Sequence, residues 1–247
     1  MDIETAPAKA YVWGLFGVNI GINQIVEPGS TLCFAAKWLG EKEMVFKSVH
    51  HDNFDYMLAT IYKLLDEADA VIHYNGVKFD IPVLNREFVA KGWAPPAPFV
   101  DIDLYRTVRS RFKFLSNKLD FVAQQLLGDQ KEQHKGMGLW TGCMNGVEAD
   151  WDMMKKYNIQ DVALLEKLYV KLLPWIQPHP NHGLYNAAGD KLVCPNCGGI
   201  HLNARGFYNT QTMRYQRYQC KDCGKWSKAR VNNLPKEQKA NILAGVR

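Results

Sequence analysis

Aromatic and β-branched residues crowd three early segments, 11–19 (YVWGLFGVN), 31–38 (TLCFAAKW) and 43–48 (EMVFKS). Gly21, Pro28 and Gly29 punctuate the first interval, so the pattern predicts three strands in an antiparallel meander. Residues 53–67 switch to helical spacing, with Phe54, Met57, Leu58, Ile61 and Leu64 on one stripe and Asn53 as N-cap. The run VIHYN (71–75) reads as a short buried strand, followed by a helix over 79–91 with Phe79, Val83, Phe88 and Val89 apolar. A strand over 98–102, helices over 103–112 and 117–127 ending at Gly128, and a long helix over 150–173 complete this part. Strands first, then strands alternating with helices, predict an α/β fold built on a mixed sheet flanked by helices.

The pattern then breaks. Pro174, Pro178, Pro180 and Gly183 mark residues 174–190 as a linker. Residues 191–230 form a separate cysteine-bearing unit, and 231–247 a basic tail. At 247 residues the chain has room for one ordinary domain and such an appendage. No apolar run reaches the roughly 18 residues of a membrane span, and no basic segment precedes an apolar one at the N-terminus. The expected setting is cytoplasmic. Charge is unevenly shared. Residues 190–247 hold 11 Lys/Arg against 3 Asp/Glu, net +8, whereas the remainder holds 19 against 22, net −3. A basic appendage on an acidic body suggests binding to a polyanion, with a merely solvated lysine-rich terminus as the alternative.

Four of the six cysteines form two CxxCG knuckles, Cys194-Pro-Asn-Cys197-Gly and Cys220-Lys-Asp-Cys223-Gly. Each knuckle brings two thiolates toward one centre, and four sulfurs match a closed tetrahedral structural Zn²⁺ site. A unit of this size has a small core and needs such a staple. A redox dithiol is the weaker alternative. Cys33 and Cys143 stand alone and are expected to be buried as small hydrophobes. Arg205, Phe207, Tyr208, the run RYQRYQC, Lys225, Trp226, Lys228 and Arg230 interleave cations with rings. That composition suits phosphate contact and base stacking; alternatively, the rings only pack the core.

Carboxylates supply the other candidate chemistry. Asp2 and Glu4 lie at i and i+2, so a strand presents them on one face. Such a pair repels itself unless a cation intervenes, and hard oxygen ligands suit Mg²⁺ or Mn²⁺. Asp80 sits at the junction of VIHYN and the next helix; alone it reads as a helix N-cap rather than a site residue. Tyr157 and Asp161 lie four apart on the long helix and share a face. Alone they read as a half-buried tyrosine and an exposed aspartate.

In order, D-x-E (D-I-E-T), N-x3-F-D (H-Y-N-G-V-K-F-D-I-P-V-L), N-K-L-D-F-V-A-Q-Q-L-L-G and Y-x3-D (Y-N-I-Q-D-V) resemble the DEDD superfamily of 3′→5′ exonucleases, DnaQ-like proteins on the RNase H-like fold. The tyrosine resembles the DEDDy branch, which includes the proofreading domain of Klenow-type polymerases and RNase D. The stretches are most similar to predicted exonucleases related to the exonuclease domain of family-B DNA polymerases. The likeness covers about residues 1–175. R-Y-Q-C-K-D-C-G-K is similar to zinc ribbons found beside transposase domains.

The resemblance implies that Asp2, Glu4, Asp80 and Asp161 hold two divalent ions, about 3.5–4 Å apart, that clamp the attacking and leaving oxygens at phosphorus. It implies that Asp2 bridges the ions, that Glu4 and Asp161 complete the nucleophile side, and that Asp80 holds the second ion partly through water. Tyr157 would orient the attacking water beside Glu4, Asn75 would contact the substrate near its 3′ end, and the product would be a nucleoside 5′-monophosphate. DNA, in single-stranded form, is the favoured substrate, with RNA the alternative. A catalytically silent nucleic-acid binder and an endonuclease on the same fold are the remaining readings. In the family the acidic pair ends a strand that needs about 5–6 residues; here only Met1 precedes Asp2, which predicts weak anchoring of Asp2 and Glu4. His134 is expected in a solvent-facing loop, Asp101 at a rim position with neither Asp101 nor Asp103 among the metal ligands, and Arg106, Arg109, Arg111 and Lys113 along a phosphate backbone or a solvated helix face.

Overall fold

The computed structural model describes residues 1–128, 135–177, 179–185 and 191–246. His134 lies outside them, as do Pro178 and 186–190 of the expected linker. The chain divides into two compact units, Met1–Val170 and Lys171–Arg247.

In the first unit, β1 (Asp2–Thr5) pairs antiparallel with β4 (Thr31–Ala36), which pairs antiparallel with β5 (Val45–Ser48). A two-residue strand, β2 (Lys9–Ala10), pairs with β3 (Ile25–Glu27) between them in sequence. β6 (Ala70–His73) runs parallel to β7 (Val100–Asp103). Met1 N donates to Ile72 O at 2.8 Å and so links the edge of β1 to β6. Every residue of β4 is buried, which is why its sequence is a continuous apolar run and not an alternating one.

Helices cover the two faces. α1 (Phe54–Glu67) and α2 (Asp80–Ala90) bury Met57, Leu58, Ile61, Leu84 and Phe88 against Ile3, Phe34 and Val71. Asn53 caps α1 by accepting from Tyr56 N at 3.0 Å. α3 (Leu104–Arg111) and α4 (Leu119–Leu127) follow β7, and Gly128 ends α4 with φ +72°, a left-handed conformation glycine adopts without steric cost. α5 (Met137–Met144) and α6 (Glu148–Leu172) bring Leu139, Cys143, Trp151, Met154 and Tyr157 against Leu32 and Cys33. Both lone cysteines are buried in this cluster. This is the RNase H-like mixed sheet with helices on either side.

Two expectations are corrected. Residues 11–19 form no strand; Tyr11, Trp13, Leu15 and Phe16 are exposed, and β1 takes the place of that segment in the antiparallel sheet. Gly14 and Gly17 interrupt its alternation, and Gly17 has a positive φ that a strand does not accommodate. On α2 the buried residues are Asp80, Leu84 and Phe88, whereas Phe79 and Val89 face solvent. The short helix α5 was not anticipated.

In the second unit, Leu173–Trp175 and His182–Leu184 are 3₁₀ turns. Asn196 Nδ2 donates to Leu173 O at 2.9 Å and Lys225 Nζ to Ile176 O at 2.9 Å, so residues 173–176 are tied to the cysteine knuckles. β8 (Leu202–Asn209), β9 (Arg214–Cys220) and β10 (Trp226–Asn232) form an antiparallel sheet in the order β10-β9-β8. Among the described residues no helix is long and apolar enough to cross a membrane.

Candidate active site

The site grows out of β1. Ile3 is buried against α1 and α2, and strand alternation turns its neighbours Asp2 and Glu4 to the other side. The expected weak anchoring of β1 is not what is found. Asp2, Ile3 and Glu4 are in register with Ala35, Phe34 and Cys33 of β4. Asn158 Nδ2 donates to Asp2 Oδ2 at 2.8 Å, and Ile3 N donates to Asp80 Oδ1 at 3.1 Å. Neighbouring elements hold β1, so its anchoring does not depend on its length.

α6 supplies the opposite wall. Trp151, Met154 and Tyr157 recur at helical spacing and sit in the core cluster. The next turn of that stripe carries Asp161, which is 4% exposed. Tyr157 packs edge-on against Trp140, with ring centroids 6.1 Å apart. One carboxylate oxygen each from Asp2, Glu4 and Asp161 lie within 4.8 Å of one another. Asp161 is therefore buried, not the exposed aspartate that the helix pattern alone suggested.

Asp80 stands outside that trio but beside it. It is the first residue of α2 and only 3% exposed. The N-cap position belongs to Phe79, and the Asp80 carboxylate bonds to β1, so the helix-cap alternative fails. Burial raises the Asp80 carboxyl above its ordinary range, while the Ile3 N–H and His73 pull it down. Burial raises Asp2 more strongly, and the negative charges of Asp80, Glu4 and Asp161 add to the rise. Packed acids with raised pKa values are what a cation between them would relieve. The all-oxygen donor set fits Mg²⁺ or Mn²⁺.

The loop from β6 to α2 is pinned from below. His73 is fully buried; its Nε2 lies 2.9 Å from Asp101 Oδ1, and its Nδ1 accepts from Gly76 N at 3.1 Å. A Cβ on Gly76 would sit 2.5 Å from the His73 ring, so only glycine fits there. Asn75 has φ +66° and its N donates to Asp103 Oδ1 at 2.9 Å. Asp103 is buried and also caps α3 through Tyr105 N, whereas Asp101 is only half-buried. Arg106, Arg109, Arg111 and Lys113 are all exposed.

Two features escaped the sequence reading. Asn158 follows Tyr157, but no periodicity links it to Asp2 at the far end of the unit. His50, His51 and Glu148 form an exposed cluster, with His50 Nε2 at 2.9 Å from Glu148 Oε2 and His51 Nε2 at 3.2 Å from Oε1. Hydrogen bonds from His50 and then His51 hold the Glu148 carboxyl below its ordinary range.

In the second unit, Cys194, Cys197, Cys220 and Cys223 converge. The Cys194–Cys223 and Cys197–Cys220 sulfur pairs are each 3.6 Å apart. Zn–S bonds of about 2.3 Å at tetrahedral angles put sulfurs about 3.8 Å apart, whereas a disulfide requires about 2.05 Å. The cluster is compatible with a small zinc site. His201 Nδ1 lies 2.9 Å from Asp222 Oδ1 beside the second knuckle.

Residues 1–173 match the family model described as RNase_H superfamily. The chain belongs to the RNase_H superfamily. It is also similar to the DNA polymerase catalytic subunit of Gallid herpesvirus 2 (strain Chicken/Md5/ATCC VR-987), at 25% identity over 130 residues. That stretch is 51% of this chain and 11% of the viral protein, so the chain spans about a ninth of that relative.

Proposed function

We propose that this superfamily member is a metal-dependent 3′→5′ exonuclease acting on DNA, in single-stranded form, with residues 1–173 as the catalytic domain. The observation that carries the reading is the meeting of Asp2 and Glu4 from β1 with Asp161 from α6, with Asp80 bonded to the same strand. Asp2, Glu4, Asp80 and Asp161 hold two Mg²⁺ or Mn²⁺ ions. Such ions, when bound, acidify a water and offset negative charge at the phosphate. Asp2, oriented by Asn158, would be the ligand shared between the two ions. Glu4 and Asp161 form the nucleophile side. Tyr157, one helical turn before Asp161, positions the attacking water, and Asn75 contacts the strand near its 3′ end. The similarity to a protein named as a DNA polymerase catalytic subunit favours DNA over RNA. Residues 174–190 serve as a linker, and residues 191–230 form a zinc ribbon with one structural Zn²⁺, followed by a basic tail.

The test is degradation of single-stranded DNA labelled at its 5′ end, with Mn²⁺ or Mg²⁺, with EDTA, and with Asp161→Ala. A ladder shortening from the 3′ end, lost with EDTA and in the variant, is expected. Tight binding without cleavage would instead make the protein a silent binder. Cleavage of a circular strand would make it an endonuclease. A strand with a single terminal ribonucleotide separates DNA from RNA preference, since the 2′-OH is the distinguishing group.

A further inference from the structure

The sheet of the second unit has two chemically different faces. Antiparallel partners share a face, and so do residues i and i+2. Tyr208 is opposite Tyr215, Arg217 is opposite Lys228, and Gln219 is opposite Trp226. These pairs therefore lie on one side of β8, β9 and β10. Arg205 joins them at the β8 irregularity: its Nη1 donates to Gln219 Oε1 at 2.8 Å. The Arg205 and Arg217 guanidinium carbons stand 5.5 and 4.6 Å from the Trp226 ring centroid. Lys228 Nζ stands 4.7 Å from the Tyr208 ring and 4.4 Å from the Tyr215 ring. The opposite side carries Cys220 with Tyr218, Gln216 and Leu202, and a single cation–ring pair, Arg214 over Phe207.

We propose that the face formed by Arg205, Tyr208, Tyr215, Arg217, Trp226 and Lys228 is a binding surface for single-stranded nucleic acid, separate from the carboxylate site. It rests on the reading above only in taking nucleic acid as the partner. Charge complementarity selects the occupant: the three strands hold no Asp or Glu. Three cations set between three rings match alternating phosphates and bases. Trp226 and Tyr208 remain 41% and 47% exposed despite their cation partners, which leaves ring surface for a base. Bases are open to stacking in a single strand and closed to it in a duplex, so the rings favour the single strand. Readout of this kind tolerates sequence, because every base offers a π-face.

The experiment uses the full-length zinc-loaded protein, without Mg²⁺ or Mn²⁺, and a fluorescent circular oligodeoxynucleotide. A circle has no 3′ end for an exonuclease site to hold. Anisotropy titration is expected to show binding that Trp226→Ala weakens about tenfold and Trp226→Phe largely restores. Arg217→Gln and Lys228→Gln are each expected to lower the slope of log affinity against log salt by about 0.7. Zinc stoichiometry of each variant reports whether the unit still folds. The proposal is overturned by tighter binding to a duplex of equal length, by an equal loss with Arg214→Gln on the opposite face, or by absence of binding to the circle. The exonuclease reading fails separately, if linear DNA with Mn²⁺ stays intact while the circle is bound.

Discussion

The cysteine cluster and the carboxylate cluster are assembled in opposite ways. Cys194 and Cys197 come from one tight turn and Cys220 and Cys223 from another, each turn closed by a main-chain bond, Gly198 N to Cys194 O and Gly224 N to Cys220 O. Their ligand geometry is written locally. Asp2 and Asp161 come from the two ends of the first unit and meet because a buried β4 and an apolar stripe on α6 bring their elements together. In the second unit Cys194 and Cys220 are themselves buried, so with zinc bound, metal and folding would be one event. In the first unit the described residues form two apolar clusters that contain none of the four acids, so folding would precede any metal binding.

The largest effect that tests this contrast is at the cysteines. Cys194→Ser is expected to take zinc stoichiometry from one to zero and to unfold the second unit, since structural zinc supplies about 10–16 kcal/mol. The first unit is expected to keep its melting transition. Elemental analysis with limited proteolysis checks both, and joint unfolding of the two units would break the contrast. Next, Asp161→Ala is expected to reduce cleavage on the order of 10³-fold while the first unit melts no lower. A large drop in melting temperature would mean that this acid serves the core.

Smaller is the effect at Asn158. Its amide positions the Asp2 carboxylate, and loss of an outer partner of a ligand costs about 10–100-fold in metal affinity or activity. Asn158→Ala is therefore expected to need more Mn²⁺ for half-maximal cleavage, with a similar rate at saturation. An unchanged Mn²⁺ requirement would remove the residue from the site.

The smallest effect is a dependence on pH. Burial holds Asp2 and Asp80 above the ordinary carboxylate range, so the folded unit binds more protons than the unfolded chain between that range and the raised values. Stability then falls as pH rises through the window, the reverse of a salt-bridged carboxylate. Metal-free protein is expected to melt a few degrees lower at pH 7 than near pH 5, about 2–4 °C for a unit of this size. Mn²⁺ is expected to restore the loss, and Asp2→Asn to flatten the difference. A melting temperature that rises with pH equally in both proteins would show that these acids are not strained.

Periodicity, caps and short-range spacing were legible in the sequence because they report bonds between neighbours. The stripe of α1, the Asn53 cap, the Gly128 terminus and the two cysteine knuckles all belong to that class. The ordered acids could be named as a set only through their resemblance to the DEDD motifs; a strand and a helix by themselves fix only that Asp2 and Glu4, and Tyr157 and Asp161, share a face. What those faces meet was not legible. The aromatic run 11–19 has strand composition, yet Tyr11, Trp13, Leu15 and Phe16 stay in solvent. Phe79 and Val89 are apolar yet exposed, because the side of α2 that meets the core is the one carrying Leu84 and Phe88. Asp80 looked like a helix cap, yet its carboxylate binds Ile3 of a distant strand; Asn158 finds Asp2 in the same way. Local pattern fixes which side of an element is apolar or charged; only packing between remote elements decides which of those sides is buried, and against what.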